Sequence, residues 1–86
     1  MKRLVGWSPA AKSQLRALDR KIALEILHAI DRYMVGGEGD VKQLSAPLSG
    51  LRLRVGEWRV LFKPLRGENA IVVSRVAHRS QAYRVN

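Results

Sequence analysis

Two runs of alternating residues, separated by only two positions, constrain this chain more than any other feature. Leu51, Leu53 and Val55 alternate with Arg52 and Arg54; beyond Gly56-Glu57, Trp58, Val60 and Phe62 alternate with Arg59, Leu61 and Lys63. A period of two marks a strand with one buried face. A two-residue connection with glycine first suits a type II′ hairpin turn, whose first central residue takes a positive φ. That turn fixes the register: Val55 faces Trp58, Arg54 faces Arg59, and Arg52 faces Leu61. A slip by one residue would turn the whole apolar set to water. One face of the hairpin is therefore apolar and must be covered. The other carries Arg52, Arg54, Arg59, Leu61 and Lys63, and looks outward.

The cover comes from upstream. Leu4-Val5-Gly6-Trp7 reads as a short first strand, followed by a helix start at Ser8-Pro9. Serine is a good N-cap, and proline suits the first helical position, where its missing N–H costs nothing. The short helix that follows presents Ala11, Leu15 and Leu18. A longer helix runs from about Asp19 to Val35. In it Ile22, Ile26, Ile30, Tyr33 and Met34 recur at three- and four-residue spacing, with Arg20, Lys21, Asp31 and Arg32 on the other side.

Gly36-Gly37-Glu38-Gly39-Asp40 ends this helix. The segment lacks Gly-Lys-Ser/Thr and follows a helix instead of opening one, so it reads as a connector and not a phosphate loop. Val41 to Gly50 reads as irregular, with Lys42, Leu44 and Pro47 packing over the sheet edge. After a turn at Arg66-Gly67-Glu68-Asn69, the nearly continuous apolar run Ala70–Val76 suits a central strand covered on both faces. The expected fold is α+β, ordered β-α-α-β-β-β, with a mainly antiparallel sheet packed against a two-helix hairpin. Residues 1–86 form one domain on this reading, since a chain of 86 residues has no room for two cores.

Charge narrows the function classes. Sixteen Lys and Arg stand against seven Asp and Glu, a net of +9, and residues 52–86 alone contribute +6 of it. An excess of this size implies attraction to nucleic acid, an acidic protein or an anionic membrane. Arg54 directly across from Arg59 is a local conflict, because like charges opposite each other destabilise a strand pair. Conflicts of this kind tend to mark functional sites. An anion held between the two guanidinium groups would relieve it, and the arginine fork matches phosphate. Taken singly, each arginine reads as a solvated side chain on an exposed face. As a cluster they point to an anion site, because Glu57 is the only acid between Asp40 and Glu68.

The absence of cysteine excludes disulfides and zinc–thiolate sites and fits a reducing cytoplasm, where the protein is expected. With two histidines and no thiol, neither a metal site nor a cofactor is expected; His28, amid polar residues on the long helix, reads as solvated. The charged opening of the chain is cut short at Ser8-Pro9, so it does not read as a signal peptide. No apolar stretch approaches the roughly 20 residues needed to span a bilayer, so no membrane partner is expected.

Leu48-Ser49-Gly50-Leu51-Arg52-Leu53-Arg54-Val55-Gly56-Glu57-Trp58-Arg59-Val60-Leu61-Phe62 resembles the central hairpin of RelE-type toxins, in the RelE/ParE superfamily. The tail Val76-Ala77-His78-Arg79-Ser80-Gln81-Ala82-Tyr83-Arg84 is similar to their C-terminal pattern, and the resemblance covers essentially the whole chain. It implies the toxin of a type II toxin–antitoxin pair: an endoribonuclease that enters the ribosomal A site and cuts mRNA without metal. There the ribose 2′-hydroxyl attacks the adjacent phosphate and expels a 5′-hydroxyl. By position Arg59 matches the family's hairpin arginine, Arg79 its C-terminal arginine and Tyr83 its C-terminal tyrosine. Arg52 and Arg54 fall where the family gathers basic residues, and Lys63 and Arg84 extend that RNA-binding set. Where several relatives carry lysines at the start of the hairpin, this chain has Gly50, Arg52 and Arg54. Arginine keeps its proton, so it binds phosphate but is a poor general base. The base is then His78 or Tyr83. An imidazole titrates nearer neutral pH than a phenol, which favours His78; family position favours Tyr83. Tyr83 could also stack on a base or pack on the core.

The implied partners are a cognate antitoxin with an acidic or amphipathic segment, the ribosome and mRNA, with the toxin–antitoxin complex a candidate binder of operator DNA. Two other functions share the fold: a ParE-like toxin that poisons DNA gyrase without nuclease chemistry, and a non-catalytic binding module acting as a repressor. The arginine-rich hairpin and the His78-Arg79…Tyr83 tail favour the RelE type.

Overall fold

A computed structural model of the chain describes residues 4–66 and 69–85. Its elements are β1 (Leu4–Trp7), α1 (Pro9–Arg16), α2 (Arg20–Gly36), β2 (Asp40–Gln43), β3 (Leu51–Val55), β4 (Trp58–Pro64) and β5 (Ala70–His78). The strands form one sheet in the order β1-β5-β4-β3-β2, antiparallel except where β1 runs parallel to β5. Both helices pack on one face of it. The turn expected at residues 66–69 falls partly outside the described residues, at Gly67 and Glu68.

The helices start where their caps dictate. The Ser8 hydroxyl accepts the Ala11 N–H, Pro9 takes the first helical position, and Gly37 closes α2 in the left-handed conformation with its N–H on the Tyr33 carbonyl. Ala11, Ile26, Ala29 and Ile30 are buried on the helix side. They meet Leu53, Val60, Phe62, Ile71, Val73 and Val76 from the sheet, with Leu15, Leu18, Ile22, Tyr33 and Met34 packed around them. The Tyr33 ring tilts against Phe62 with centroids 5.2 Å apart. The hairpin has the expected register: Val55 opposite Trp58, Arg54 opposite Arg59, Arg52 opposite Leu61. Gly56 has φ of 59° and Glu57 does not share the positive φ, as a type II′ turn requires; among the described residues only glycines have a positive φ.

Two features depart from the expectation. Residues 40–43, expected to be irregular, form the edge strand β2, which pairs Asp40 with Arg54 and Lys42 with Arg52. Lys42 therefore belongs to the sheet and does not pack over its edge. The order is β-α-α-β-β-β-β. The polar sequence Asp-Val-Lys-Gln hides a strand with only one covered partner, because an edge exposed to water needs no apolar alternation.

The second departure is a β-bulge. Phe62 pairs with Val73 but Leu61 with Arg75, so Ser74 is the extra residue. Residues three apart in a regular strand face opposite sides; the bulge lets Val73 and Val76 both face the helices, and turns Arg75 and Ala77 to the outer face. Side chains satisfy the backbone groups that the bulge disturbs. Gln14 accepts the Val76 N–H at 2.7 Å, Ser8 donates to the Ser74 carbonyl, and the Ser74 hydroxyl donates to the Leu61 carbonyl.

Gly50 supplies a stability test. Its φ is +99°, and a Cβ there would stand 2.6 Å from the Phe62 carbonyl oxygen. Both the strained backbone and the clash with main chain oppose any side chain. Gly50→Ala is expected to lower the unfolding free energy by roughly 2 kcal/mol or more. Urea denaturation monitored by tryptophan fluorescence measures it, and an unchanged midpoint contradicts it.

Candidate functional site

The outer face of the sheet, opposite the helices, is laid out in rows by the strand register. Asp40, Arg54, Arg59 and Ala77 form one row; Lys42, Arg52, Leu61 and Arg75 form the next; Lys63 and Val72 follow. Six cations thus share one surface with a single carboxylate among these positions. Leu61, in the middle, was expected to look outward into solvent, yet it is 4% exposed. The C-terminal segment covers this face: Ala82 is fully buried, and neither it nor Leu61 belongs to the helix-side core.

The arginines differ in what holds them. Arg52 is only 12% exposed; its Nη1 donates to the Asp40 carbonyl at 2.9 Å and lies 3.3 Å from the Asp40 carboxylate. Arg54 is 55% exposed and stands 3.8 Å from the same carboxylate. The Nη1 of Arg59 donates to the Gly56 and Trp58 carbonyls, at 2.9 and 3.0 Å. The conflict between Arg54 and Arg59 is thus eased within the chain, by Asp40 on one side and turn carbonyls on the other. Asp40 is the site residue that sequence reasoning missed. Its signal was its position in an edge strand, which only the pairing reveals.

The turn gathers a second pair. The Arg79 N–H donates to the Glu57 carbonyl, and its Nε lies 3.5 Å from the Glu57 carboxylate. Arg59 and Arg79 therefore meet at the same turn, Gly56-Glu57. Their guanidinium groups retain N–H donors that no described residue uses, since each carries five.

Tyr83 lies elsewhere on this surface. With Val85 it lines a groove of about 370 Å³ whose other walls are Lys42, Arg52 and the loop bearing Leu44, Pro47 and Leu48. Its ring does not enter the core; the residue is 42% exposed. Lys63 and Arg84 are both exposed. The structure thus brings Tyr83 together with Arg52, and Arg59 together with Arg79, with Arg54 joining the two pairs along β3.

His78 is not among them. It pairs with Trp58 across the strands, and the two rings meet edge-on with centroids 5.6 Å apart, so it lies on the helix face of the sheet. Its Nδ1 accepts the Ser80 N–H and lies 2.9 Å from the Ser80 hydroxyl. The bulge at Ser74 accounts for this, because it inverts which residues of the later part of β5 face outward. His28 is exposed on α2. Among the described residues, no three His, Asp or Glu side chains come together as a metal site. No described helix is long and apolar enough to cross a membrane.

Comparisons place this geometry among known folds. The archaeal RelE-RelB complex of Pyrococcus horikoshii OT3 contains a chain that superposes with a TM-score of 0.73 at 19% identity, covering 95% of this chain and 100% of that one. The YoeB dimer of Staphylococcus aureus gives 0.73 at 18% identity, covering 99% and 100%. The toxin–antitoxin complex RelBE2 of Mycobacterium tuberculosis gives 0.72 at 22% identity, covering 91% and 99%. At these identities the likeness shows the fold alone. No curated protein sequence matches significantly. The family model for the ParE toxin of the type II toxin–antitoxin system parDE, however, matches residues 5–83. The chain belongs to that family of toxins, within the RelE/ParE superfamily.

Proposed function

We propose that this toxin is a ribosome-dependent endoribonuclease that cuts mRNA in the A site by attack of a ribose 2′-hydroxyl on the adjacent phosphate. The observation that supports this reading is the outer face itself: six cations in register on one surface, flanked by Arg79 and by the half-exposed Tyr83. The attack forms a bond from the 2′-oxygen to phosphorus and breaks the bond to the 5′-oxygen. The products are a 2′,3′-cyclic phosphate and, once the leaving oxygen takes up a proton from solvent, a 5′-hydroxyl; a 3′-terminal phosphate follows only when water opens the ring in a second step. Arg59 and Arg79 are assigned to the charge that grows on the phosphoryl oxygens. Arg54, Lys63 and Arg84 are assigned to flanking phosphates, with Arg52 packed beneath them. Tyr83 shares the outer face and is the better-placed proton acceptor; His78 points to the other side. A cognate antitoxin, as in the RelB and YefM complexes of the structural neighbours, would neutralise the toxin.

A second reading is a gyrase-poisoning toxin that binds without cutting RNA. It is favoured by the family match to ParE and by the internal partners of Arg52, Arg59 and Arg79. Mapping mRNA 5′ ends and DNA breaks after induction separates the two. New mRNA ends within ribosome-protected codons support the nuclease; double-strand DNA breaks with intact mRNA overturn it.

Binding is testable without chemistry. If the outer face neutralises about five phosphates, log affinity for single-stranded RNA is expected to fall with log salt at a slope of about −3.5. The double variant Arg52→Glu, Arg54→Glu flattens that slope. An affinity indifferent to salt would mean that the face is merely solvated.

A further inference from the structure

Arg75 has no assigned role, yet its contacts single it out. It lies on the outer face of β5, opposite Leu61, because the bulge at Ser74 turns it there. Its Nη1 donates to the Ala82 carbonyl at 2.7 Å and to the Arg84 carbonyl at 2.8 Å. These are the carbonyls on either side of Tyr83. One rigid, charged donor therefore grips both residues flanking the tyrosine, and hydrogen bonds from a charged group are stronger than neutral ones. No carboxylate among the described residues pairs with Arg75.

The rest of the C-terminal segment is held weakly. Its start is anchored, the Arg79 N–H on the Glu57 carbonyl; after that the main-chain N–H groups of the described residues make only local bonds, Ser80 to His78 Nδ1, Gln81 to the His78 carbonyl and Arg84 to the Gln81 carbonyl at 3.4 Å. Ala82 supplies one buried methyl group. A segment of this kind frays unless something ties it down. The tie is Arg75, and what it aims is Tyr83 into the groove beside Arg52 and Lys42.

We infer that Arg75 is a positioning residue: its guanidinium straps the C-terminal segment across the sheet, and Tyr83 takes its place beside Arg52 only while that strap is closed. Arg75 then acts through Tyr83 and does not itself touch RNA. The cleavage arm of the test rests on the nuclease reading above; a spectroscopic arm does not.

The chain has two tyrosines, and they make the test internal. Tyr33 packs against Phe62 in the core, whereas Tyr83 lies on the strap. In protein labelled with 3-fluorotyrosine, Arg75→Ala is expected to move the Tyr83 fluorine resonance to the position of an unstructured tyrosine, with Tyr33 unchanged. An unmoved Tyr83 resonance overturns the strap. If Arg75→Ala disturbs Tyr33 as well, Arg75→Lys is read instead. A flexible ammonium cannot hold both carbonyls in the same fixed geometry, so its Tyr83 signal is expected to shift or broaden; a wild-type signal overturns the strap.

On programmed ribosomes, Arg75→Ala is expected to lower single-turnover cleavage to the rate of Tyr83→Ala, and the double variant to be no slower than Tyr83→Ala. Millimolar guanidinium is expected to restore part of the rate to Arg75→Ala and none to Tyr83→Ala. Additive losses would show that Arg75 meets RNA directly, and overturn its role as a positioning residue. A wild-type protein that does not cut overturns the nuclease reading alone, and the fluorine signal still decides the strap.

Discussion

Arg59→Ala or Arg79→Ala is expected to lower single-turnover cleavage of ribosome-bound mRNA by roughly 100-fold or more, the loss that follows removal of one preorganised charge donor from a transition state. In the proposed reaction, negative charge grows on the non-bridging and leaving oxygens, and fixed cations must meet it where it develops. A long arginine side chain is normally a poor fixed cation, because it has many rotamers to lose. Here the turn removes that freedom beforehand. Two carbonyls hold Arg59 Nη1, and the Glu57 carboxylate steadies Arg79 at the same turn. Both reach the reaction already oriented. Cleavage at wild-type rate by the Arg59→Ala, Arg79→Ala double variant, with folding and ribosome binding intact, would refute this site.

The proton is tested beside the phosphate. Tyr83→Phe should cost less than Tyr83→Ala if the ring chiefly stacks, and about as much if the hydroxyl moves the proton. His78→Gln is expected to leave cleavage within a few-fold of wild type, since the imidazole sits against Trp58 on the helix face. Loss of an ionisation near neutral pH from the rate profile of His78→Gln would restore the histidine as base.

The difference between the two candidate bases shows what the sequence carries and what it withholds. Alternation from Leu51 to Phe62 and a glycine-led loop of two residues determine the hairpin, because a one-residue slip would expose its whole apolar face. The helix stripe from Ile22 to Met34 is equally legible, since five apolar residues at that spacing can only make one buried face. The run from Ala70 to Val76 is another matter. It is apolar nearly throughout, so it has no alternation to betray an extra residue, and the bulge at Ser74 passes unseen. That one residue moves His78 to the helix side and Arg75 to the outer face. Asp40 was hidden for a related reason. Residues 40–43 follow a glycine-rich connector and offer the core a single apolar side chain, Val41, so only their pairing with β3 shows that a carboxylate sits between Arg52 and Arg54.

The largest effect on stability is expected from the partner. Eighty-six residues bury a thin core, and no disulfide supports it. A ligand that binds only the folded state, at about a thousand times its Kd, adds about 4 kcal/mol. For a domain of this size about 1 kcal/mol moves Tm by about 4–8 °C. An excess of a tightly binding acidic antitoxin is therefore expected to raise Tm by roughly 16 °C or more, read by differential scanning calorimetry. The charge pattern says where it should bind. An acidic segment on the outer face would meet Arg54, Lys42 and Lys63, all exposed. The gain should then shrink between about 0.05 and 0.5 M salt, as screening shortens the reach of surface charge, and shrink again in Arg54→Glu. A gain indifferent to salt would place the antitoxin instead on the uncharged side chains that α2 leaves open, Leu24, Leu27 and Val35. A Tm unmoved by the cognate antitoxin at saturating concentration would count against the partnership itself.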